Sequence, residues 1–150
     1  MEYNDITRLE NELLLSLKEE YSFYQSLYIL IDRQRDLIKF DKDEKLLDLF
    51  TEIERCHLRI KKSEEKVTML RQKNPRLFPL AASAPEVKKV VSGIESLITK
   101  NMTLVQENEL YLRERYGRLR EELDQLQNSS KILQYLRENR PQQLFVDSKS

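Results

Sequence analysis

The chain has 150 residues, 35% of them charged, and its 26 basic residues balance 26 acidic ones. That balance supplies no long-range field to draw nucleic acid or an anionic membrane surface. With only two glycines and four prolines, three of them at Pro75, Pro79 and Pro85, it lacks the frequent turns of a β-rich or α/β fold.

Cys56 is the single cysteine, so no internal disulfide is expected, which fits a reducing compartment. The opening Met1-Glu2-Tyr3-Asn4-Asp5 lacks the basic and then apolar layout of a secretory leader. The most apolar run, 27–31, is far too short to span a bilayer. The expected compartment is the cytoplasm, with no membrane insertion.

A first helix is expected over 5–39, capped by Asn4 or Asp5 through the free amides of the first turn. Leu13, Leu17, Tyr21, Tyr24, Tyr28, Ile31 and Ile38 form one stripe, flanked by Leu14, Leu27, Leu30 and Leu37. A stripe this broad suits a helix packed against two partners. Its three tyrosines read either as a partner-binding face or as a core edge with hydroxyls reaching water. Asp41 and Glu44 have the spacing of a capping box and open a second helix over 43–73, folded back antiparallel. Here Leu46, Leu49, Ile53, Cys56, Ile60, Ser63, Val67 and Leu70 step by threes and fours. Cys56 therefore reads as a small buried apolar residue.

His57 is the only histidine. One His–Cys pair cannot supply the four converging ligands of a zinc site, so no metal and no cofactor are expected. The chain also has no glycine-rich phosphate loop, nucleophile elbow or paired-histidine motif. No catalytic residue is assigned, and an enzyme is not expected. Asn74-Pro75 closes the second helix, and Leu77, Phe78 and Leu80 are too apolar for a free linker. They are expected to fold back as a lid on the helices.

The longest stretch is a helix expected over 86–139, ended by Asn139 and Pro141. Ser83 and Glu86 have capping-box spacing, with Ala84-Pro85 in the first turn. At about 1.5 Å per residue it would be roughly 80 Å long. Val87, Val91, Ile94, Ile98 and Val105 lie on one seam, with Asn101 and Asn108 seven residues apart on it; polar seam residues fix register. After Leu112 the spacing continues through Tyr116, Leu119, Leu123, Leu126, Ser130 and Leu133. Arg113, Arg115, Arg118 and Arg120 are interleaved with Glu114, Glu121, Glu122 and Asp124, which reads as a solvated face supported by pairs such as Glu114–Arg118. Gly117 is the weak point of this half, at about 1 kcal/mol relative to alanine. The tail at 140–150 is expected to be mobile.

The fold class expected is thus all-α: an elongated antiparallel three-helix bundle or coiled coil with a long C-terminal helix, read as a single domain over 1–150. The first two helices leave about twenty residues of the third uncovered, beginning near Arg120 and Gly117. That excess carries Leu123, Leu126, Ile132, Leu133 and Leu136, and with Leu119 these are the expected client-binding residues. The chain's own tail, a second copy or a client must cover them.

In this layout the chain resembles the FlgN family of export chaperones for bacterial flagellar hook-associated proteins. The resemblance covers nearly the whole chain. It rests on the stretch 13–30 with Glu20 and Tyr21, the Asp41 break, Glu52-Ile53-Glu54-Arg55, Ser96-Leu97-Ile98 with Asn101 and Asn108, and the ending Phe145-Val146-Asp147-Ser148-Lys149. One feature departs from the family: Tyr116-Gly117 lies inside the long helix, and the tail contains neither glycine nor tyrosine. The resemblance implies a cytoplasmic chaperone that holds the terminal amphipathic segment of a hook-associated protein on its C-terminal helical region. It also implies delivery to a type III export apparatus. A structural coiled-coil protein that forms a homodimer through the same leucines is the alternative.

Overall fold

The computed structural model describes residues 2–138. They form four helices: α1 (Glu2–Lys39), α2 (Asp43–Lys73), the five-residue α3 (Phe78–Ala82) and α4 (Pro85–Glu138). Among the described residues there is no strand, so the all-α class holds. The chain divides into two compact units, Met1–Tyr111 and Leu112–Ser150. The expected tail, and Asn139 as the helix end, lie outside the described residues.

In the first unit α1 is shared by both neighbours. It buries Leu9, Leu13, Leu17, Glu20, Leu27, Ile31 and Ile38, a seam of near-heptad spacing. Toward α2, Cys56 Sγ donates to the Phe23 carbonyl (3.2 Å) and Ser63 Oγ to the Ser16 carbonyl (3.3 Å). The donors advance seven residues while the acceptors retreat seven, so the two helices are antiparallel. Toward α4, Asn101 Nδ2 donates to the Tyr24 carbonyl (3.4 Å) and Asn108 Nδ2 to the Ile31 carbonyl (3.1 Å). Here both advance together, so α4 runs parallel to α1. Small or short polar side chains at heptad spacing bring the helices close enough to reach each other's backbone.

Two apolar clusters fill the unit. One joins Leu9, Leu13, Leu17, Ala81, Val87 and Ile94; the other joins Leu27, Ile31, Cys56, Ile60 and Leu104. The tyrosines of the α1 stripe pack at the edge of these clusters, and the Tyr24 hydroxyl donates to Glu64 Oε1.

Several local expectations change. α1 already includes Glu2, so Asn4 and Asp5 lie inside it and cap nothing. Asp41 ends α1 rather than opening α2. Its φ is 56°, its amide donates to the Ile38 carbonyl, and the Lys42 amide donates to the Leu37 carbonyl. That pair of bonds is a Schellman ending, with aspartate in the left-handed place glycine usually takes. Lys42 is the residue at the α2 N-cap, and it makes no side-chain capping bond. Ser83 does not cap α4 either: its hydroxyl donates back to the Leu80 carbonyl at 2.7 Å and closes α3.

The apolar lid is α3 itself. Leu77, Phe78 and Ala82 pack on the first cluster, but Leu80 is exposed, and the buried anchor is Ala81. Asn74 closes α2 as expected, with its amide and its side chain both donating to the Leu70 carbonyl.

Candidate functional site

Cys56 and His57, the residues that first invite chemistry, are neighbours on α2. Cys56 is buried, and burial pushes its thiol upward, only partly offset by the nearby Arg59 charge. A thiol held protonated is a poor nucleophile and a poor metal ligand. His57, its neighbour, is exposed and lines a groove with Tyr24, Ile98, Asn101 and Val105. Among the described residues no three His, Cys, Asp or Glu side chains gather to hold a metal ion.

Glu20 is the residue whose environment the sequence concealed. It occupies a seam position between Leu17 and Tyr24 and is only 7% exposed. Its Oε1 has no hydrogen-bond partner. Desolvation, and then the like charge of Glu64, raise its carboxyl above the ordinary value. The Tyr24 hydroxyl beside them is pushed up to about 12, by burial first and then by Glu64 and Glu20. Asn101 and Asn108 repeat the pattern on α4: each donates to α1, while each Oδ1 is buried without a partner. Asn101 and Asn108 thus face α1, whose carbonyls their side chains reach.

The first unit also carries a groove of about 510 Å³ between α1 and α4, lined by Leu14, Lys18, Tyr21, Glu86, Lys89, Val90 and Gly93. Gly93 allows the Tyr21 ring to lie against α4, because a Cβ there would stand 2.9 Å from Tyr21 Cε2.

The second unit presents the apolar face. Tyr116, Leu119, Leu123, Leu126, Ile132, Leu133 and Leu136 are all at least half exposed, Leu126 at 69%. Within the second unit the exposed row starts at Tyr116, beside Gly117. Helical spacing of about 3.6 residues per turn brings Leu119, Leu123, Leu126 and Leu133 onto one face with Tyr116. Leu136 sits at that face's edge, and Ile132 is turned away from it. Beside the seam, Arg113, Tyr116, Gly117, Leu119, Arg120 and Leu123 line a shallow concavity. Among the described residues this row stays exposed, and contiguous apolar patches of this kind commonly mark interaction surfaces on proteins.

No protein-family model, no curated protein and no solved structure matches this chain. No helix among the described residues is long and apolar enough to cross a membrane.

Proposed function

We propose that the chain is a non-catalytic binding protein, an export chaperone that captures an amphipathic helix on the seam of the second unit. The observation that carries this reading is the heptad-spaced, exposed row Tyr116, Leu119, Leu123, Leu126 and Leu133. Burial of such side chains contributes at about 25 cal/mol per Å², and an apolar helix face is the natural complement of the row. The resemblance to the FlgN family supports a more specific proposal. In it, the captured helix is the terminal segment of a flagellar hook-associated protein, held in the cytoplasm before delivery to an export apparatus.

The experiment replaces Leu126→Glu together with Leu133→Glu. The variant is assayed by co-purification with the terminal segments of hook-associated proteins, and by light scattering. Loss of capture at unchanged mass supports the reading. A wild-type dimer that falls to monomer in the variant, with no segment ever captured, overturns it in favour of self-association through the same leucines.

A further inference from the structure

The groove that His57 lines is built by three helices. Tyr24, Leu27 and Ile31 come to it from α1, His57 from α2, and Asn101 and Met102 from α4, around about 330 Å³. No lysine, arginine, aspartate or glutamate lines it. Leu27 and Ile31 are buried, while Met102 is 58% exposed, so part of its apolar lining faces outward. What sets the groove apart is a surplus of acceptors around Tyr24. Asn101 is only 5% exposed; its Nδ2 is committed to the Tyr24 carbonyl, and its Oδ1 has no partner. Glu20, four residues before Tyr24 on α1, is buried with its Oε1 likewise unpartnered. Glu64 accepts from the Tyr24 hydroxyl, so the donor that Tyr24 offers is already used. Among the described residues neither carboxylate is in an ion pair, and Lys61, three residues before Glu64, is exposed and pairs with neither. Buried acceptors left without donors cost stability. Gathered around one residue of the groove, they are matched by a donor from outside the chain.

We infer that this groove is a second docking surface, which seats an amphipathic partner helix carrying an arginine or lysine within its apolar face. The partner's apolar side chains lie on Leu27, Ile31 and Met102, and its cation brings donors to Asn101 Oδ1 and to the carboxylates of Glu20 and Glu64. A cation suits the place better than a neutral donor, because both carboxylates bear on Tyr24. Its hydroxyl is pushed up to about 12 by burial and then by Glu64 and Glu20, every cause acting in the same direction. A segment with an acidic residue at that point would meet like charge and is disfavoured. The surface lies wholly in the first unit, and it does not depend on the leucine row of the second.

The test uses the full chain and three synthetic helical peptides of about 20 residues, roughly 30 Å of helix. They share one leucine face and differ only at its central residue, which is arginine, glutamine or glutamate. The readout is the Met102 methyl resonance, since no methionine lies in the leucine row of the second unit. The arginine peptide is expected to titrate it about tenfold more tightly than the glutamine peptide, with the glutamate peptide weakest. The gap is expected to narrow at about 0.5 M salt. Asn101→Leu with Glu64→Gln is expected to make the arginine and glutamine peptides equal. Glu64→Lys alone, at an exposed position, is expected to weaken the arginine peptide while helix content by circular dichroism stays unchanged. Equal titration by all three peptides, or an arginine preference that survives both variants, overturns the inference. A Met102 methyl that no peptide moves overturns it too, and leaves capture on the leucine row to its own co-purification experiment. Failure of that co-purification beside a clear arginine preference at Met102 overturns the leucine-row reading and leaves this inference standing. A Met102 shift that follows protein concentration without any peptide overturns the inference in favour of a second copy.

Discussion

At the scale of single residues, the seam tolerates polarity only where something compensates it. Glu20 is the exception, and its consequence is a pH dependence of stability. Its carboxyl is raised in the folded chain, so the folded state holds that proton more tightly than the unfolded state. The resulting stability is complete below the unfolded value near 4.5 and is lost as pH rises through the higher folded value. Glu20→Gln keeps the neutral shape and removes the titration. Its melting temperature is expected to exceed the parent's at neutral pH and to converge with it under acid conditions. Equal melting temperatures across that range would show that the carboxyl is relieved in some other way. Asp41, at φ 56°, is the second unusual residue: it holds the left-handed place that glycine takes without steric cost. Neither feature was legible in the sequence. Glutamate reads as a surface residue whatever buries it, and the capping-box spacing from Asp41 to Glu44 is blind to which helix the aspartate ends. Ser83 was misread for the same reason.

At the scale of elements, helix placement was legible because periodicity and proline record it. The seam of α2 and the buried places of Asn101 and Asn108 follow from steps of three and four. The short α3 was hidden because Pro79 reads as a loop residue, although a helix tolerates proline in its first turn. Direction and register are held by four side-chain donors reaching α1 carbonyls from Cys56, Ser63, Asn101 and Asn108. Asn108 also donates to Gln34 Oε1 at 3.1 Å. Asn108→Ala is therefore expected to cost about 1–2 kcal/mol. Replacing Asn101 and Asn108 together by leucine removes two buried unpartnered oxygens and is expected to raise the melting temperature, at the expense of a unique register. Doubled or broadened amide resonances in α4 would report that slippage; one sharp set would show that apolar packing alone fixes the alignment.

At the scale of the whole molecule, the two units differ in which apolar residues they leave exposed. The first unit packs two apolar clusters among α1, α2, α3 and the first part of α4, while Leu15, Leu47, Leu58, Met102 and Leu110 among others stay exposed on it. The second unit leaves a row of leucines exposed. That row was legible in the sequence as a continued heptad. The concavity beside Gly117 was not, because a glycine in a helix reads as a flexible point until the space over it is seen. Hydrogen–deuterium exchange on the full chain, with and without the terminal segment of a hook-associated protein, tests the central claim most directly. Capture on the seam predicts added amide protection over 116–136 and little change over 2–111. Protection confined to α1 and α2, with 116–136 unchanged, would contradict it.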